Sequence, residues 1–280
     1  MTDDFGSDLG DDMSSNIKSK GGVSIKWESI LPIIVIVLVL VLVLFKTDLF
    51  SGGLPFLGSS GGLRILHIGE PSQQFKMVLN DSENRDLITY KRIVSAESLI
   101  HNPSDRLKDF DVVILNQYAQ TDKSISRTVG EAITSFVRYG GKLIVVSDSG
   151  IQRPNDVSVM GWKATFGDLV PVGCDNAIYG VPSCKSPRTI QGVIYSSDED
   201  HEIMRGIQRV PALDSYGLLS TKVFDLAIYG HEIAYMEDAQ TKKVYPAIVE
   251  KVLSIGKVLY FNYDPGLSNE IFVKTLEYMK

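Results

Sequence analysis

The sequence predicts an α/β fold, a doubly wound, mostly parallel sheet with a C-terminal β-hairpin and helix, preceded by one transmembrane helix. Three observations predict it. Short apolar runs alternate with helical segments over residues 63–147, "FDVVILN" (110–116) is apolar on both faces, and residues 29–45 form an uncharged run of Ile, Val and Leu. A strand buried on both faces reads as a continuous apolar run, which is the habit of parallel sheets. Strand, helix and strand joined by short connections form a right-handed βαβ unit, and repeated units wind a sheet covered on both faces.

Residues 1–25 are rich in Asp, Ser, Gly and Lys and hold few side chains that could pack, so they are expected to be a disordered tail. "SILPIIVIVLVLVLVLF" (29–45) carries no charge, with Lys26, Trp27 and Lys46 at its borders. A membrane helix needs about 17–25 apolar residues, so residues 26–47 are expected to be an anchor. The run exceeds a signal-peptide core and no small-residue cleavage site follows, which favours an uncleaved span. Lys18, Lys20 and Lys26 precede it and only Lys46 follows closely, so the Lys/Arg bias puts the N-terminus in the cytoplasm. The C-terminal domain would then be extracellular, at the cell membrane. Residues 48–62, with "SGGLPFLGSSGG" at their core, are expected to be a flexible linker. A single α/β domain is expected over 63–280.

Within that domain "LRILHI" (63–68) reads as a strand, then "LITYKRIV" (87–94) as the next, and "ESLIHN" (97–102) as a short helix. "FDVVILN" is the central strand. In "SISRTVGEAITSFVRYGG" (124–141), Val129, Ile133, Phe136 and Val137 recur near helical spacing, and Gly140 and Gly141 make a natural stop. "KLIVVS" (142–147) is again a buried strand. "EIAYMED" (232–238), "YPAIVEKV" (245–252) and "GKVLYFNYD" (256–264) follow, the last two as a hairpin. "SNEIFVKTLEYM" (268–279) closes as an amphipathic helix, with Ser268 placed to cap it.

The formal net charge is −6, and no cluster of Lys and Arg is interleaved with aromatic residues, so nucleic acid is not an expected partner. Cys174 and Cys184 are the only cysteines. Outside the cell they would form a disulfide closing a small loop, at a chain-entropy gain of about 2–3 kcal/mol. In the cytoplasm they would be two thiols. Their spacing fits neither a zinc site nor a redox pair.

Ligands of such sheets sit beyond the carboxyl ends of the strands. That selects Gly69-Glu70, Asn116-Gln117, Ser147-Asp148-Ser149 and Asp264, either as one crevice or as residues that merely cap helices and satisfy turns. Glu70, Gln117, Asp148, Ser149 and Asp264 are the ligand-binding candidates, and Asp148 and Ser149 the catalytic ones. Asp148 and Asp264 could pair for acid–base work. No D-x-D motif or histidine ligands accompany them, so neither a metal nor a cofactor is expected. A serine nucleophile would need one of His67, His101, His201 or His231 as base. His67 lies inside a strand, His101 at a helix end, His201 in a turn and His231 after Gly230.

"FDVVILNQ", "FVRYGGKLIVVSDSG", "DHEIMRGI" (200–207) and "PAIVEKVLSIGKVLYFNYDPG" occur in this order. Together they resemble the class I glutamine amidotransferase-like superfamily over residues 63–280, specifically its ThuA-like and β-galactosidase trimerisation-domain branches. The resemblance implies a flavodoxin-like sheet. "DHEIMRGI" is similar to the family's His-Pro-Ile-x-x-Gly segment, with Glu202 in place of the proline. True amidotransferases carry a G-x-C-x-G elbow and a late His-x-Glu pair. Here the elbow is Val146-Ser147-Asp148-Ser149-Gly150 and Asp148 stands at the nucleophile position. His231-Glu232 are adjacent and precede the hairpin, so glutamine hydrolysis is not expected.

The expected function is therefore a membrane-anchored, non-catalytic domain that binds an extracellular protein or a carbohydrate. Residues 151–195, with Arg153, Trp162, Tyr179 and the two cysteines, would shape the recognition surface, although Trp162 could equally pack beneath the loop. The alternatives are an extracytoplasmic hydrolase of sugars or amides using Asp148 or Ser149, and a structural component of a membrane complex.

Overall fold

The chain was described from a computed structural model covering residues 61–174, 182–212 and 217–280, with the backbone alone at 157–159. The expected tail, anchor and most of the linker lie outside the described residues, as does Tyr179. Among the described residues no helix is long and apolar enough to cross a membrane.

In chain order the elements are β1 (Leu63–Ile68), α1 (Gln73–Asn80), β2 (Ile88–Val94), α2 (Pro103–Leu107), β3 (Val112–Leu115), α3 (Arg127–Arg138) and β4 (Lys142–Val146). Then come β5 (Gln152–Arg153), β6 (Asp156–Met160), α4 (Lys163–Phe166), β7 (Val172–Cys174), β8 (Arg188–Ser196) and β9 (Arg209–Val210). The chain closes with β10 (Leu219–Val223), β11 (Leu226–Ile228), β12 (His231–Asp238), β13 (Val244–Leu253), β14 (Gly256–Phe261) and α5 (Asn269–Tyr278).

Five of these strands form the parallel centre, in the order β2-β1-β3-β4-β14. This is the flavodoxin-like order, in which the chain reverses direction between β1 and β3. Beyond β14 the sheet continues antiparallel through β13, β12, β8 and β10, with β9 also paired to β8, to make a ten-stranded mixed sheet. The hairpin of β13 and β14 is as expected. Its turn holds Ser254 at a φ of +54°.

Alternation along each strand divides the core in two. Ile65, Ile114, Ile144, Val146, Leu259 and Phe261 face α1 and α5, against Phe75, Ile271, Phe272 and Leu276. Leu66, Val113, Leu143, Val145, Val258 and Tyr260 face α3, against Val129, Ile133 and Val137. At full burial each such side chain contributes about 1.5–3 kcal/mol. The edge strand β2 is exposed along most of its length, and Lys91 and Arg92 at its middle guard it against pairing with another chain. Gly256 allows the close approach of hairpin and helix, since a Cβ there would stand 1.9 Å from the Val137 carbonyl oxygen.

Several elements differ from expectation. The helix expected at 97–102 is a single 3₁₀ turn, Glu97–Leu99, and the α-helix begins later, where Pro103 fits the first turn. Residues 188–195, expected within the surface-shaping segment 151–195, instead form most of β8, paired on both sides within the main sheet. Ser268 stands at the start of α5 but makes no side-chain cap. Its hydroxyl is paired with that of Tyr263 at 2.8 Å. Cys174 and Cys184 form a disulfide, with Cα atoms 5.1 Å apart, tying the end of β7 to the turn at Ser183–Lys185.

Candidate functional site

β1, β3, β4 and β14 run parallel in adjacent register, so the segments that follow them emerge on one edge. The reversal between β1 and β3 opens the chain there, because the two connections leave in opposite directions. Gly69 lets the first of them turn. It has a φ of +103°, and a Cβ there would stand 2.5 Å from the Asn116 carbonyl oxygen.

The turn after β4 is held by an interlocked set of hydrogen bonds. The Gln117 amide N–H donates to Ser149 Oγ at 2.7 Å, and Gln117 Oε1 accepts from the Gly150 amide at 2.9 Å. Gln117 Nε2 donates to the Ser124 carbonyl at 3.1 Å, and Trp162 Nε1 donates to the Ser149 carbonyl at 2.9 Å. Gln117 and Ser149 are buried, and their polar atoms face each other and the loop. Trp162 packs edge-on to Tyr260 beneath this turn. The left-handed residue of the turn is Ser147, with a φ of +53°, one position before Asp148. Among the described residues no histidine hydrogen-bonds to Ser147, Asp148 or Ser149.

Outward of this braced layer lies a charged one. Asp148 pairs with Lys123 at 3.3 Å, and Lys123 Nζ also donates to the carbonyls of Gln117 and Tyr118. Burial pulls the Lys123 ammonium below the usual lysine range, and Asp148 opposes that shift. Tyr118 is half-buried with its hydroxyl beside the Thr221 side chain; burial pushes the phenol up, and Asp264 and Asp148 add to the shift. Asn116 Oδ1 accepts from the Tyr118 amide at 3.0 Å, whereas the buried Asn116 Nδ2 has no partner among the described residues. Glu70 stands at the rim and pairs loosely with Lys76 at 3.7 Å.

Asp264 closes the group. It caps the turn Pro265–Leu267 by accepting from the Gly266 amide at 3.0 Å, and the Ser72 hydroxyl lies beside it. Burial raises its carboxyl above the ordinary range, against the opposing effect of Ser72 and Gly266. Its ionisation therefore opposes folding: the stability present below the unfolded value of about 3.9 is lost as pH rises through the higher folded value. Asparagine caps as well as aspartate does. Asp264→Asn is accordingly expected to be more stable than the parent in urea at pH 7, and the gap to close on acidification. Equal midpoints at pH 7 would count against that reading.

The edge thus brings together Glu70, Asp148 and Asp264, while Gln117 and Ser149 brace it from within. Sequence reading missed Lys123 and Tyr118, which sit on the loop after β3. All four histidines stand elsewhere. His201 Nδ1 accepts from the Ile203 amide at 3.2 Å and its Nε2 meets Glu250 at 3.4 Å, while His231 pairs with Asp198 at 2.9 Å. His101 is exposed beside α2, and His67 is buried in β1 with neither ring nitrogen hydrogen-bonded among the described residues. Among the described residues no group of three or more His, Cys, Asp or Glu side chains is placed to hold a metal ion.

No family model and no curated protein matches the sequence. Solved structures do. The Salmonella typhimurium cytoplasmic protein STM1381 superposes with a TM-score of 0.52 at 14% identity, covering 78% of this chain and 99% of its own. A ThuA-like protein from Bacteroides uniformis gives 0.50 at 12% identity, over 81% and 95% of the two chains. The β-galactosidase of Bacillus circulans sp. alkalophilus gives 0.50 at 15% identity over 79% of this chain but only 31% of the enzyme. At these identities the likeness is one of fold: this domain has the flavodoxin-like architecture shared by a ThuA-like protein and by about a third of a β-galactosidase chain.

Proposed function

We propose that this chain is a membrane-anchored, non-catalytic protein whose strand-edge crevice binds a neutral carbohydrate outside the cell. The observation that carries the reading is the buried Asn116 Nδ2, a donor with no partner among the described residues, at the same strand ends as the Asp148 and Asp264 carboxylates. Buried polar groups are ordinarily satisfied, and those that are not call for an explanation. Sugar hydroxyls donate and accept at once, so they suit an edge that offers carboxylate acceptors at Asp148 and Asp264, an amide donor and the Tyr118 ring. Binding without turnover is supported by the state of the serines: Ser149 is buried and engaged by Gln117, and no histidine reaches it to act as base. In the β-galactosidases of Bacillus circulans and Rahnella this fold forms 31% and 33% of the chain, so it stands beside sugar chemistry there.

Titration of the full chain in nanodiscs with galactose and neutral galacto-oligosaccharides, followed by saturation-transfer NMR, tests this. Saturable binding is expected, weakened about tenfold by Asp148→Asn, the loss of one charge-assisted hydrogen bond. No saturable binding across a panel of neutral sugars would sink the proposal.

A further inference from the structure

The opposite edge of the sheet carries a different surface. The amide of Asp111 donates to the Arg64 carbonyl and that of Lys142 to the Asp111 carbonyl, which sets the starts of β1, β3 and β4 in one row. Beside that row lie the turn after α3 and the β13–β14 turn. Among the described residues these turns hold the two most exposed large apolar side chains, Tyr139 at 86% and Ile255 at 70%. They are neighbours, since a Cβ on Gly140 would stand 3.1 Å from Ile255 Cδ1. Val252, two residues before the turn, is also exposed and pairs across the hairpin with Lys257.

Cations stand beside these three side chains: Arg138 next to Tyr139, Lys251 next to Val252, and Lys257 across the hairpin from Val252 with Lys142 beside it on β4. Arg138 is exposed, whereas Lys251 Nζ donates to the Asp168 carbonyl, Lys142 Nζ to the carbonyls of Met279 and Lys280, and Lys257 lies over the Tyr278 ring. Asp111, also on this edge, is paired with Arg64 at 3.0 Å. Such a basic rim contrasts with the chain's formal charge of −6. Exposed aromatic and aliphatic side chains ringed by Lys and Arg are what an anionic lipid surface attracts.

Chain connectivity points the same way. β1 begins on this edge, and the residues before it lead back to the apolar run 29–45. Residues 46–60, rich in Gly and Ser, would as a flexible chain span roughly 20 Å on average and at most about 50 Å. A tether of that length holds the domain at high effective concentration beside a bilayer.

We propose that Tyr139, Val252 and Ile255 seat the amino edge of the parallel strands in the headgroup region of an anionic phospholipid bilayer, leaving the carboxyl-edge crevice facing away. The inference rests on the reading of residues 29–45 as an anchor. It is tested with the full chain reconstituted into phosphatidylglycerol-containing vesicles, carrying Ile255→Trp or Tyr139→Trp in a Trp27→Phe background. Trp162 is buried and common to all variants, and Ile93→Trp, exposed near the carboxyl end of β2, is the control. Emission from the added Trp at 255 and at 139 is expected to be roughly halved by brominated-chain lipid, since interfacial groups reach about 5–10 Å into the headgroup boundary. The control is expected to stay unquenched. A chain that floats with the vesicles and resists carbonate extraction, yet shows no quenching at 255 or 139, overturns the docking face alone. One that does not float overturns the anchor and the docking face together.

Discussion

Asn262→Leu is expected to cost at least about 3 kcal/mol of stability, enough to leave a typical domain of about 5–15 kcal/mol marginal or unfolded. Asn262 is fully buried just after β14. Its Oδ1 accepts from the Phe224 amide at 3.0 Å and from the Tyr260 hydroxyl at 3.4 Å. Its Nδ2 donates to the carbonyls of Phe224 at 2.8 Å and Pro246 at 2.9 Å. One side chain thus ties the end of β14 to β13 and to the link between β10 and β11. Leucine is the larger side chain, so the cost is not a cavity but three main-chain groups left unpartnered in the core, each worth about 1–3 kcal/mol, with crowding added. Asn262→Asp keeps the acceptor, loses the donor and buries a charge, and should do no better. Urea midpoints of parent and variants check this, and a loss below about 1 kcal/mol for Asn262→Leu would show that water or relaxation satisfies those groups.

What could be read in the sequence follows burial. β1, β3, β4 and β14 are buried on both faces, so their apolar runs announce them, and their order fixes which residues share an edge. β8 is legible only in retrospect, because "RTIQGVIYS" mixes exposed and buried positions and carries Gly192 in its middle. α1 is eight residues long, and only Phe75, Val78 and Leu79 of it are buried, too short a pattern to separate from a turn. At the site, the strand-end rule finds Glu70, Asp148 and Asp264 by position. It cannot say that Gln117 and Ser149 spend their hydrogen bonds on each other, which depends on a contact across 32 residues. Nor does any local signal mark Lys123, whose role comes from the loop folding back onto Asp148.

His67 shows the same limit and carries the second large effect. A histidine within a strand reads as a satisfied core residue, yet both of its ring nitrogens are buried without partners, near the Phe75 ring. Burial lowers its pKa from the ordinary 6.5 to about 4; the nearby Gly69 backbone opposes the shift and the Lys76 ammonium adds to it. The folded state therefore keeps a neutral imidazole where the unfolded chain binds a proton. Between about pH 6.5 and pH 4 the unfolded state holds more protons, so stability falls on acidification, by up to about 1.4 kcal/mol per pH unit. Across that window the loss from this one residue is about 3 kcal/mol. Asp198 and Asp238 are held below the ordinary carboxylate range, so their contributions are lost at lower pH and do not share the window. His67→Leu removes the titration and the two unpartnered nitrogens while keeping an apolar strand residue beside Ile114 and Ile93. The variant should match or exceed the parent at pH 7 and exceed it by about 3 kcal/mol near pH 4. Urea unfolding at half-unit steps would separate the cases. Parallel pH profiles for parent and variant would mean that the imidazole is protonated in the folded state and that the groups above β1 reorganise to receive the charge.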